Sequence, residues 1–237
     1  GERFIKFHMT NKQGATLAQV QSAIKNTINQ TTPETTLREP VSAFIDYKLA
    51  HPPEAPIVVP DWIEQQVAGL GQIVASVRAV VLRKHGELTV RPEMEVATRI
   101  SKQLIKLGQA VAFTLDKTEI DEEVYAIIQR VGLDTCYGWH RDAVVAVANS
   151  DLPILTEEIC RKALMPRSTA FRCMEDLLEL GVVTFDLADT GKKGKPAHLW
   201  RLTDFTREVW DLAKIDTSTI SQEPPAGSNF KKRAKHL

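Results

Sequence analysis

The dipeptide Met165-Pro166 separates two helical patterns, and it constrains the last third of the chain more than any other feature. Proline has no backbone N–H and a fixed φ, so it cannot continue the first helix. It does suit the first turn of the next one. Before the break, Leu155, Ile159 and Ala163 fall on one face of a short helix over 155–164. After it, Ala170, Met174, Leu177 and Leu178 space a second helix, and Gly181 stands where a helix would end in a left-handed residue. Residues 182–187 and 198–202 then read as two strands. The stretch Asp189-Thr190-Gly191-Lys192-Lys193-Gly194-Lys195-Pro196 joins them as a hairpin tip. Residues 203–214 form a closing helix pattern.

The polar residues of this region are unevenly placed. Burying Ala170, Met174 and Leu177 turns Arg167, Ser168, Thr169, Phe171 and Arg172 outward at the N-terminal end of the second helix. Lys192, Lys193 and Lys195 crowd the glycine-containing hairpin tip. Two helices split by a proline turn, then a strand, a basic loop and a strand, resemble the winged helix-turn-helix superfamily over about residues 138–214. The resemblance implies DNA, duplex or single-stranded, as partner. Arg167 and Arg172 would then reach phosphate or guanine, Ser168 and Thr169 would donate to phosphates, and Phe171 would share that face. The three wing lysines would contact the phosphate chain. Against this, Glu175 and Asp176 weaken the positive face, and winged helices also serve as protein-contact modules.

The first 150 residues read as almost wholly helical. Residues 4–9 alternate like a short strand, and helix patterns follow at 15–29 and 37–49. His51-Pro52-Pro53-Glu54-Ala55-Pro56 is a loop. Asp61 is placed to cap a long helix to about Arg83, and further helices fit 94–115, 121–132 and 138–149. In the first of these three, Val96, Ile100, Leu104, Leu107 and Val111 mark one face, with Arg99 near its start.

This order resembles the C-terminal part of an AAA+ ATPase, a helical lid joined to a winged helix. The resemblance implies a sensor-2-like role for Arg99, pointing at a γ-phosphate, where a planar permanent cation suits the chemistry. The plainer alternative is an intrahelical Glu95–Arg99 pair, worth a few tenths of a kcal/mol. Arg3, just before the 4–9 strand, would stand as an arginine finger reaching a neighbouring subunit. An exposed terminal charge explains it equally. A homo-oligomer follows from the same resemblance, a hexameric ring in the AAA+ case. No G-x-x-x-x-G-K-[ST] occurs, and no acidic Walker B strand. The chain itself is therefore expected to hold no cofactor and to hydrolyse nothing; ATP and Mg would belong to a parent protein. A chain opening on Gly1 rather than Met fits a fragment of such a parent.

Composition limits the remaining classes. Lys+Arg and Asp+Glu both number 30, so any DNA contact needs a local patch rather than a general basic coat. Cys136, Cys160 and Cys173 are an odd, scattered set, which suits a reducing, cytoplasmic setting. Cys136-x-x-x-His140 lacks a second close pair and is not expected to bind metal. Trp62, Trp139, Trp200 and Trp210 read as core fillers, with Trp200 and Trp210 packed together. No apolar run reaches a membrane span.

The expected fold is mainly α: a multi-helix, lid-like bundle with a short N-terminal strand over 1–137, a winged helix-turn-helix with a small β-hairpin wing over 138–216, and a disordered basic tail over 217–237. The expected function is that of the DNA-binding C-terminal portion of an AAA+ DNA-dependent ATPase or helicase-like replication protein. The alternative is a stand-alone winged-helix transcriptional regulator with an α-helical dimerisation or effector domain.

Overall fold

The computed structural model describes residues 18, 21, 22, 24, 25, 33–84, 87–90, 92, 95–136, 138–188 and 196–216. The expected strand at 4–9, most of the helix at 15–29, the hairpin tip at 189–195 and the tail lie outside the described residues. Within them the chain is mainly helical, with eight helices, a two-stranded hairpin and a small three-stranded antiparallel sheet. None of the described helices is long and apolar enough to cross a membrane.

Helix α1 (Pro33–Ala50) begins earlier than the 37–49 pattern suggested, and keeps Pro40 inside it. It is anchored near its end by Lys48, which is 6% exposed. Lys48 Nζ donates to the Phe113 carbonyl and the Asp116 carboxylate, and lies 5.5 Å from the centroids of both Phe44 and Phe113. Burying an ammonium is tolerated only with such pairing.

Helix α2 (Asp61–Val77) is the centre of the molecule. Ile63, Val67, Leu70, Val74 and Val77 are all essentially inaccessible. Pro60 rather than Asp61 occupies the N-cap position, and Asp61 is the first helical residue. The helix stops at Val77, short of the expected Arg83. Its apolar period does continue through Val81, but Arg78 caps the helix and the chain leaves it into the hairpin β1 (Arg83–Lys84) and β2 (Glu87–Leu88). Thr89 holds that turn, donating from both its amide and its hydroxyl to the Leu82 carbonyl.

Helices α3 (Ala97–Thr114) and α4 (Glu122–Asp134) pack on α2 through Ile100, Leu104, Ala112, Val124 and Ile128. Asp121 caps α4 by accepting from the Val124 amide at 3.0 Å. The two helices approach closely at Gly108, where a methyl group would sit 2.6 Å from the Ile128 Cδ1.

Helix α5 (Gly138–Ala148) follows, then the short strand β3 (Ile154–Leu155), α6 (Thr156–Lys162), α7 (Arg167–Glu179), β4 (Val183–Ala188), β5 (Ala197–Leu202) and α8 (Asp204–Leu212). Sheet order is β3-β5-β4, all antiparallel, with Ile154 opposite Trp200 and Val183 opposite Leu202. Leu155 was expected to open a helix; it lies instead on the third strand, because β5 offers a free edge that two extended residues can pair with. Trp200 is buried over this sheet and donates its indole N–H to Thr156 Oγ1 at 2.9 Å. Its ring contacts among the described residues are with Phe185 and His198, and not with Trp210 as expected.

Helix α8 crosses back onto α2 and α4. Gly69 permits that approach: a methyl there would lie 2.8 Å from the Val209 carbonyl oxygen. The last carbonyls of the α8 region, at Ala213 and Lys214, accept from α4 side chains. Tyr125 Oη donates to Ala213 at 2.6 Å, and Gln129 Nε2 donates to both Ala213 and Lys214. Buried side chains from 63 to 213 accordingly form a single cluster across the expected boundary at 137/138.

Candidate nucleic-acid interface

The turn between α6 and α7 sets the geometry of the interface. After Lys162 the chain passes through Ala163 and Leu164, the latter at φ +53°, and the Met165 amide donates to the Cys160 carbonyl at 3.1 Å. Met165 is buried. Pro166, extended at φ −60° and ψ 147°, is the N-cap of α7, one position ahead of the first-turn place expected for it. The helix ends at Glu179 in a Schellman arrangement: Gly181 at φ +67°, its amide on the Leu178 carbonyl and the Val182 amide on the Leu177 carbonyl.

Along α7, Ala170, Cys173, Met174 and Leu177 are buried. Arg167, Ser168, Phe171 and Arg172 are exposed, and Thr169 is half-buried. Arg167 pairs with Glu157 at 2.8 Å, but both side chains are more than half exposed, so the pair is weak and can be exchanged for a phosphate. Arg172 has no ion-pair partner among the described residues. Phe171 stacks against His198 of β5, with ring centroids 6.1 Å apart, and His198 in turn packs at a tilt on Phe185, 4.2 Å between centroids. Its ring thus joins α7 to the sheet while leaving an exposed edge. Lys192, Lys193 and Lys195 lie outside the described residues, as does Arg3.

Sequence patterning missed what stands behind this surface. Asp176, one turn further along α7, accepts from Arg83 Nε at 2.7 Å across 93 residues of sequence. Both side chains are largely buried. His140 Nε2 of α5 lies 3.6 Å from the other oxygen of the same carboxylate. Burial holds the His140 pKa below the ordinary 6.5, with Asp176 opposing that shift. Asp176, expected to weaken a positive face, is therefore neutralised internally by Arg83.

A cleft of about 560 Å³ opens beside these groups, between α7, the start of α5 and the segment 79–81. Ser168, Thr169 and Arg172 line it from α7 and Trp139 from α5, over an apolar side made by Val80 and Val81. Trp139 was expected to fill a core; it stands instead on the first turn of α5, where it lines this cleft and is 45% exposed. Trp62 is also partly exposed at 39%, whereas Trp200 and Trp210 are buried as expected. Cys173 lines the same cleft, and burial pushes its thiol up to about 11, so it stays protonated.

Arg99 stands elsewhere, on the first turn of α3. It is 50% exposed and lies 3.3 Å from Glu95, which also approaches Arg78 at 3.8 Å. The expected Glu95–Arg99 pair therefore forms, but not within the helix, because Glu95 precedes the N-cap residue Val96. Arg99, Lys102 and Lys106 share one side of α3 with Thr98 and Gln103, along a shallow groove of about 440 Å³.

No protein-family model matches the chain, and neither a curated protein nor a solved structure does.

Proposed function

We propose that the chain binds DNA through a winged helix-turn-helix over residues 138–216, from α5 to α8, as the C-terminal portion of an AAA+ DNA-dependent ATPase or helicase-like replication protein. The observation that carries the DNA part is the element order helix, short strand, helix, turn, helix, strand, strand, with its three-stranded sheet behind α7. That arrangement supports α7 as a recognition helix presenting Arg167, Ser168 and Arg172 at its N-terminal end. Phosphate contacts from such residues position a duplex, and base contacts specify it. The helical layer supports the lid reading less directly. A single ion pair such as Glu95–Arg99, with the arginine half-exposed, is worth about 0.2–1 kcal/mol. Arg99 is thus cheaply released toward a phosphate presented by a nucleotide-binding base domain, alongside Lys102 and Lys106.

The test is fluorescence anisotropy of labelled duplex and single-stranded DNA at several salt concentrations. Wild type should bind, with affinity falling steeply as salt rises. Replacing Arg167 and Arg172 by Ala should weaken binding and lower the slope of log affinity against log salt by roughly one for each phosphate that is no longer neutralised. Wild type binding neither form at low salt overturns the DNA reading. In a parent ATPase, Arg99→Ala should cut ATP hydrolysis and leave DNA binding intact; undiminished hydrolysis overturns the lid reading.

A further inference from the structure

The cleft between α5, α7 and residues 79–81 has a composition that a duplex-reading surface does not require. Its mouth carries an exposed indole, Trp139, in a site that also holds an exposed aliphatic residue, Val80. Around them stand two hydroxyls, Ser168 and Thr169, and the Arg172 guanidinium. The acid within reach, Asp176, is paired with Arg83, and burial disfavours charge on His140, so Arg172 sets the charge of the lining. A flat aromatic face, hydrogen-bonding hydroxyls and a cation within one concave site are the parts from which proteins build platforms for unpaired bases. A base kept in a duplex stack cannot present its face to such a platform, whereas an unpaired one can.

We propose that this cleft is a socket for one unpaired nucleobase, stacked on Trp139 with its phosphate on Arg172. The preferred ligand is then DNA carrying a single-stranded end beside a duplex, rather than a blunt duplex. This rests on the DNA reading of α7, since the same helix holds the duplex beside the socket. The apolar side of the cleft, Val80 and Val81, excludes water from the second face of the base. Asp176 and Arg83 act as positioning residues: their pair holds the segment leading to β1 against α7 and so sets the width of the cleft.

The experiment compares the full chain on two labelled DNAs, a blunt duplex and the same duplex with a three-nucleotide overhang. Wild type should prefer the overhang. Trp139→Ala should reduce affinity for the overhang by roughly 5- to 150-fold, the range of alanine substitutions at base-stacking aromatics, while leaving blunt-duplex affinity within about twofold. Trp139→Phe, which keeps a stacking face and guards against a merely unfolded variant, should restore most of the preference. Indole emission of wild type should also be quenched more by the overhang DNA than by the blunt one, and this difference should vanish in Trp139→Phe. If wild type binds both DNAs equally, or Trp139→Ala keeps the preference, the socket is refuted and the DNA reading stands. If wild type binds neither, the DNA reading itself has failed.

Discussion

Replacing Gly69 by Ala puts opposing effects of known size against each other. In the interior of a helix, glycine costs about 1 kcal/mol relative to alanine, so on propensity alone the substitution stabilises α2. The new methyl would, however, meet the Val209 carbonyl oxygen at 2.8 Å and the Ala213 amide nitrogen at 3.2 Å. Both are backbone atoms of the α8 region and cannot rotate aside. The helix must back away from α2, loosening the packing of Val209, Trp210 and Ala213, which are buried. Overpacking of a well-filled interface costs about 1–3 kcal/mol, and a backbone obstruction belongs near the upper end. The net expectation is a loss of about 1–2 kcal/mol, which for a chain of this size lowers Tm by roughly 2–8 °C. Gly132→Ala in α4 is the matched control, because its methyl would meet only the Leu70 side chain, at 3.1 Å and beyond. Thermal and urea denaturation followed by circular dichroism would read both variants. A Gly69→Ala protein more stable than wild type would mean that α8 does not sit this close to α2, and the single continuous core would have to be abandoned.

Two further outcomes concern the buried charges. Arg83→Leu leaves the Asp176 carboxylate without its close guanidinium partner, which should cost about 1.5–3 kcal/mol in urea unfolding. Adding Asp176→Leu should recover much of that loss, since an apolar pair can replace a buried ion pair; a double variant as unstable as the single one would contradict it. His140 should make stability depend on pH. Its folded pKa lies below the ordinary 6.5, so above that value it is neutral in both states and contributes nothing. As pH falls below 6.5 the unfolded chain takes a proton that the folded chain resists, and stability drops until the folded pKa is reached. His140→Gln should therefore lose less stability than wild type between about pH 7 and pH 5; identical pH slopes would refute the assignment.

The long amphipathic helices were legible because period and length reinforce each other. The Ala97–Thr114, Glu122–Asp134 and Gly138–Ala148 helices fall within three residues of the expected bounds. The buried and exposed faces of α7 were legible for the same reason, together with Gly181, whose position demands a left-handed backbone. The strand Ile154–Leu155 was not, since two residues carry no alternation and become a strand only by pairing with Trp200 and Leu199. The end of α2 was hidden because Val77 and Val81 keep helical spacing after the chain has left the helix. A lysine in an amphipathic pattern reads as solvated, so nothing local betrayed the burial of Lys48 beneath Phe44 and Phe113. The cleft was invisible for a related reason: Val80, Trp139 and Arg172 come from three separate stretches, and only packing brings them together.

The tie between Arg83 and Asp176 has a mechanical consequence. Helix α2 is gripped by α8 along one side through Gly69, and the strand that leaves its end is bolted to the middle of α7. Two separate attachments, one on the helix and one on the strand that follows it, work against the hinge that a linker between two units would otherwise provide. If α7 binds DNA as proposed, a torque applied to the helical layer would be delivered to that DNA as rotation, with little slack in between.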